Sequence, residues 1–153
     1  MTGTRFGTFL GSVDWARFVW REDVLANMLL EGLRLLIVED EFLIAMDVEQ
    51  LCRDHGAVDV VVIGTAADLV TASTSAGFDA AILDVMVEGQ PTLDFARGLA
   101  EHGIPFVFAT GYSDRGDVFS AFPDVRVVGK PYTGDEIVEA LATAVAAARR
   151  ADR

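Results

Sequence analysis

Four short apolar runs of this 153-residue chain each end on a side chain able to do chemistry. Leu35-Leu36-Ile37-Val38 leads into Glu39 and Asp40, Ala80-Ala81-Ile82-Leu83 into Asp84, Phe106-Val107-Phe108-Ala109 into Thr110, and the mainly apolar Val125-Arg126-Val127-Val128-Gly129 into Lys130. Carboxylates brought together repel one another, and a hard divalent cation with oxygen ligands relieves that repulsion. Magnesium is the natural ion, since it takes few protein ligands, keeps waters and pairs with phosphate oxygens. Lys130 offers a point positive charge for a phosphoryl group, the Thr110 hydroxyl can donate to the same oxygens, and Gly111 leaves room for their approach. Each residue alone has a plain explanation. Glu39-Asp40 could cap a helix, Asp84 and Thr110 could be turn residues, and Lys130 could be a solvated surface charge. Their shared position after apolar runs favours a site, because ligands of parallel α/β sheets bind beyond the carboxyl ends of the strands.

The elements that must position these residues follow from the pattern around them. From residue 33 onward, short apolar and β-branched runs alternate with longer amphipathic segments. Strands are expected at 33–38, 58–63, 80–83, 106–109 and 125–128, and helices at 41–54, 66–75, 91–102, 114–121 and 134–149. Several strand runs are continuously apolar, as in parallel strands covered on both faces. The pattern predicts an α/β fold: a doubly wound, parallel, five-stranded (βα)5 sheet spanning residues 33–150. In the last helix Ile137, Leu141, Ala144, Val145 and Ala148 recur at helical spacing, with Arg149 and Arg150 near its C-terminal end. The helix at 114–121 contains Gly116 and stops before Pro123, so it should be short and mobile, with fast amide exchange.

Residues 1–32 lack this alternation and form an N-terminal extension. They are either an upstream continuation of the start, with Met28 an alternative initiator, or a helix whose Trp15, Phe18, Val19, Leu25, Met28 and Leu29 seek a partner. Deleting residues 1–27 separates the two, because only the second loses helical content.

Composition narrows the function classes. Twelve basic against 24 acidic residues give a formal net charge of −12, which disfavours contact with nucleic acid. Cys52 is the single cysteine, so no internal disulfide can form, and a reducing cytoplasm is expected. Charged residues or glycine interrupt every apolar run, so neither a membrane span nor a signal peptide is indicated.

The run from Leu33 to about Ala148 resembles the receiver domain of two-component response regulators. The resemblance is carried by Leu36-Ile37-Val38-Glu39-Asp40-Glu41, Ile82-Leu83-Asp84-Val85, Ala109-Thr110-Gly111 and Gly129-Lys130-Pro131. The segment from Phe106 to Tyr112 further resembles an often stand-alone, mainly alphaproteobacterial subgroup with a Phe-Ala-Thr-Gly-x-Tyr-like signature. The resemblance implies the flavodoxin-like receiver fold. It also implies that Asp84 takes a phosphoryl group from a phosphohistidine on a histidine kinase or histidine phosphotransfer protein. Glu39, Asp40, Asp84 and the backbone carbonyl of Met86 would hold Mg²⁺, while Lys130 and Thr110 hold the phosphate, and Lys130-Pro131 would be a cis peptide. The chain would catalyse its own phosphorylation and dephosphorylation without being a conventional turnover enzyme.

One departure concerns the readout. The family couples its threonine to an aromatic residue on the fifth strand, whereas Val127, Val128 and Gly129 precede Lys130 here. Tyr112 is the expected substitute switch, with Tyr132 a second candidate. Read as it stands, the chain is expected to be a single-domain regulator that signals through a downstream protein or serves as a phosphate sink. Two other classes compete. A pure interaction module would have no need of the acid pair, Asp84, Thr110 and Lys130 together. A haloacid-dehalogenase-like phosphohydrolase would need a second acid two residues after Asp84, where Met86 stands.

Overall fold

The computed structural model describes residues 27–74, 76–111 and 115–153. Five parallel strands form one sheet in the order β2-β1-β3-β6-β7: β1 Arg34–Val38, β2 Asp59–Ile63, β3 Ala80–Asp84, β6 Phe106–Thr110 and β7 Val127–Gly129. The crossovers carry α1 Phe42–Asp54, α2 Ala66–Thr71, α3 Leu93–Glu101 and α4 Arg115–Ala121, and α5 Gly134–Ala151 follows the last strand. The expected doubly wound (βα)5 architecture is present.

Strand residues alternate between the two faces of the sheet, and each face has its own core. Leu35 and Ile37 of β1 join Val107 and Ala109 of β6 on the face covered by α1 and α5, where Val48, Cys52, Ile137 and Leu141 are buried. Leu36, Val38, Phe106 and Phe108 face the other way, onto Leu69, Leu99, Val118 and Phe122 of the opposite layer. Phe106 meets Phe108 and Phe122 edge to face, with ring centroids 5.4 and 5.6 Å apart. This double covering is why the central runs are apolar without alternation. The edge strand β2 pairs only with β1 and leaves Val61 and Val62 partly exposed.

Three details depart from the sequence expectations. A hairpin, β4 Met86–Val87 with β5 Gln90–Pro91, interrupts the β3–α3 connection and delays α3 to Leu93. Its turn residues Glu88 and Gly89 both have positive φ, 48° and 73°, as a two-residue hairpin turn demands. Helix α2 ends at Thr71 instead of continuing to 75, with the Thr71 hydroxyl donating back to the Asp68 carbonyl at 3.1 Å and Ala72 extended. Leu30, in the stretch read as extension, is fully buried, and its N–H donates to the His55 carbonyl at 2.9 Å.

On the inner face of α1, Ala45, Val48 and Cys52 follow one another at helical spacing. Burial pushes the Cys52 thiol up to about 12 from an ordinary value of 9.0. The thiolate is the reactive form, so Cys52 should resist alkylation at pH 8 in the folded protein and react fully in denaturant. Stoichiometric native labelling at the denatured rate would contradict this packing.

Candidate functional site

Strands β1 and β3 are hydrogen-bonded neighbours with Val38 opposite Leu83, so the residues that follow them emerge side by side at one edge of the sheet. Glu39 is buried and Asp84 nearly so, whereas Asp40 is exposed. Carboxylate oxygens of the three lie within 4.8 Å of one another. The β6–β7 register brings Lys130 to the same edge, where its backbone N–H donates to the Thr110 carbonyl at 2.7 Å. The Lys130 ammonium donates to Glu39 Oε2 at 2.7 Å and to Asp84 Oδ2 at 2.8 Å.

The segment after Lys130 is anchored on both sides. Its peptide to Pro131 is cis. Three residues on, the Thr133 hydroxyl accepts from the Glu136 N–H at 3.3 Å, while the Glu136 carboxylate accepts from the Thr133 N–H at 2.7 Å. This capping box fixes where α5 begins and so holds the chain that presents Lys130.

Burial and charge act against each other in this pocket. Burial raises the pKa of Glu39 above its usual 4.5, although the hydrogen bonds from Lys130 and from the Glu41 N–H oppose the rise. Burial disfavours the Lys130 charge too, but the hydrogen bonds to Asp84 and Glu39 outweigh it and hold the ammonium well above the ordinary lysine range. Three carboxylates against one ammonium leave an all-oxygen donor set with excess negative charge. That set fits a hard divalent cation.

The hairpin completes the rim. The Met86 N–H donates to Asp84 Oδ1 at 3.3 Å, and the Glu88 N–H donates to Asp40 Oδ2 at 2.8 Å. Met86 stands opposite Pro91 in this short ladder. Glu88 holds its unusual backbone with two tethers, because its side chain also accepts from the Ala66 N–H at 2.9 Å.

Most of the residues singled out in the sequence therefore converge: Glu39, Asp40, Asp84, Met86 and Lys130 share one pocket. Thr110 is fully buried at the same edge, its hydroxyl donating to the Gly111 carbonyl at 3.1 Å. Tyr112 lies outside the described residues. Tyr132 is half-buried against the α1–α5 core, and burial pushes its hydroxyl up to about 12. The sequence reading passed over Thr92, which is fully buried and donates from its hydroxyl to the Asp84 carbonyl at 2.6 Å. It also passed over the capping box, whose Thr-x-x-Glu spacing was a usable signal.

No family model and no curated protein matches the chain. Among solved structures, it is similar to a response regulator receiver protein from Sinorhizobium medicae, at 22% identity over 78% of this chain and 98% of that one, with a TM-score of 0.68. A response regulator receiver domain protein from Clostridium thermocellum matches with 18% identity over 78% of this chain and 98% of that one, at a TM-score of 0.67. The solution structure of SdrG from Sphingomonas melonis matches with 42% identity over 76% of this chain and 96% of that one, at a TM-score of 0.56. The first two likenesses concern the fold; the third is close enough in sequence to mark a relative.

Proposed function

Because the chain belongs to the receiver-domain family of response regulators, we propose that it carries its signal as a phosphoryl group on Asp84. The observation that carries this reading is the Lys130 ammonium held at 2.7 and 2.8 Å between Glu39 and Asp84, beside an acid cluster. An Asp84 oxygen attacks the phosphorus of a phosphohistidine on a histidine kinase or phosphotransfer protein, the bond from nitrogen to phosphorus breaks, and the histidine takes a proton. Alignment and charge neutralisation dominate phosphoryl transfer, and this pocket supplies both.

Glu39, Asp40, Asp84 and the Met86 carbonyl would hold Mg²⁺, which when bound neutralises charge on phosphoryl oxygens. Lys130 stays charged throughout and can turn from the carboxylates to the new phosphate. Thr110 reaches the phosphate by giving up its bond to Gly111, and that exchange is the first movement of the switch. Tyr112 follows as the proposed aromatic readout; Tyr112→Ala should keep Asp84 labelling and lose the conformational response. The run Phe108-Ala109-Thr110-Gly111 supports the stand-alone subgroup. The receiver is proposed to span 33–150, with Leu30 of the preceding stretch packed into its core.

The partner surface is protein-like. Helix α1 exposes Phe42, Leu43 and Met46 beside a groove of about 490 Å³ lined by Ile44, Leu51, Lys130, Pro131 and Tyr132. An apolar helix face next to the acceptor suits docking of the phosphodonor's helix. Among the described residues no helix is long and apolar enough to cross a membrane.

The test is incubation with acetyl phosphate or a phosphorylated kinase, with and without Mg²⁺, followed by intact mass. Gain of one phosphoryl group that requires Mg²⁺ is expected; no gain under any condition favours an interaction module. The raised pKa of Glu39 adds a sign to the pH dependence. Metal binding needs the carboxylate ionised, and a raised pKa protonates it earlier on acidification. Mg²⁺ should therefore bind more weakly at pH 5 than at pH 7, and an affinity constant across that range would contradict Glu39 as a ligand.

A further inference from the structure

Thr92 stands at the N-cap of α3, where a threonine hydroxyl ordinarily accepts a hydrogen bond from the first turn of its helix. Here it makes no such bond. The side chain instead points back along the chain and donates to the Asp84 carbonyl at 2.6 Å, with the Val85 carbonyl at 3.2 Å. The Thr92 backbone N–H donates to that Val85 carbonyl at 2.9 Å. The residue is fully buried, so no water competes for these groups. A cap interaction has been given up for a tether on the two peptide planes that leave Asp84.

Those two planes decide where the acceptor carboxylate sits. The second of them carries the Met86 N–H, which donates to Asp84 Oδ1 at 3.3 Å and leaves Oδ2 facing Lys130 at 2.8 Å. We infer that Thr92 is a positioning residue for phosphoryl transfer: through its hydroxyl it locks the Asp84-Val85-Met86 backbone so that the carboxylate is held ready to attack. The inference rests on the reading of Asp84 as the phosphoryl acceptor. Thr92 itself touches neither phosphate nor donor.

The hydroxyl is the feature to test. Thr92→Val keeps the shape and removes the donor, Thr92→Ser keeps the donor and removes the methyl, and Thr92→Ala stands in if valine does not fold. Rates of phosphorylation by acetyl phosphate in saturating Mg²⁺ are measured in buffer where urea melts show each variant folded. Expected are a rate for Thr92→Ser within about twofold of wild type and a fall on the order of 10-fold for Thr92→Val or Thr92→Ala, as loss of alignment predicts. A purely structural role would lower the melts and leave the rates of the folded variants equal. Equal rates in folded Thr92→Val or Thr92→Ala overturn the inference, as does a Thr92→Ser variant as slow as the one lacking the donor. Absence of labelling in the wild type would instead overturn the reading of Asp84.

Discussion

Replacing Lys130 with alanine should lower the unfolding free energy in metal-free buffer by about 3 kcal/mol, because it leaves two buried anions without their shared cation. Glu39 and Asp84 are exposed by only 4% and 12% at the side chain, and both oxygens facing Lys130 lose a charge-assisted bond of 2.7 to 2.8 Å. Solvent therefore cannot take over. The variant should regain stability as Mg²⁺ is added, and by more than wild type, since the uncompensated negative charge of the pocket has grown. Phosphoryl incorporation should nevertheless fall by about 10²-fold, the usual cost of removing one fixed donor to a developing phosphate charge. Urea melts with and without Mg²⁺ check the first part, and labelling rates the second. A Lys130→Ala protein as stable as wild type in metal-free buffer would mean that the ion pair seen between the sheet strands does not hold the pocket together.

Asp84→Asn should abolish phosphoryl incorporation altogether. The amide is no nucleophile toward phosphorus, and the pocket keeps no second carboxylate in the same place, since Glu39 lies after a different strand and is pinned by the Glu41 N–H at 3.0 Å. Mg²⁺ affinity should drop as well, because one of three carboxylates has been neutralised. Calorimetric titration with Mg²⁺ and intact-mass labelling check the two effects. Residual labelling at the wild-type rate would place the acceptor elsewhere.

Much of this pocket was legible before the fold. The strands that deliver Glu39, Asp84 and Thr110 are buried on both faces, so their apolar runs are continuous and end sharply at the sheet edge, whereas the edge strand that delivers Lys130 is only partly buried. The polar residue that follows such a run is placed by the strand itself. What the sequence did not display depends on contacts between distant elements or on unusual backbone. Glu-Gly is a poor announcement of a hairpin, since glutamate seldom takes positive φ; Glu88 does so while its N–H is bound to Asp40 and its carboxylate to the Ala66 N–H. Thr92 falls inside the helix expected at 91–102, and only the fold shows its hydroxyl turned toward Asp84. Helix α2 stopped early because Thr71, Ser73 and Thr74 follow its last apolar residue, and such side chains compete for backbone groups and favour a turn. Leu30 escaped notice because one leucine has no periodicity.

The departure on the fifth strand is also borne by packing. Val128 is buried against the α1–α5 core and Val127 packs toward the α2–α4 side, so β7 offers small apolar residues where the family carries an aromatic. Thr110 sits at the end of β6 with its backbone carbonyl bonded to the Lys130 N–H.

The most direct measurement of the central claim is to trap the acyl phosphate where it forms. After incubation with acetyl phosphate and Mg²⁺, borohydride reduction converts a phosphorylated aspartate to homoserine, which peptide mass spectrometry then locates. The proposed function implies homoserine at position 84 alone, and none when Mg²⁺ is withheld. Reduction at another acidic residue, or at none while the protein remains folded and Mg²⁺-bound, would contradict Asp84 as the phosphoryl acceptor.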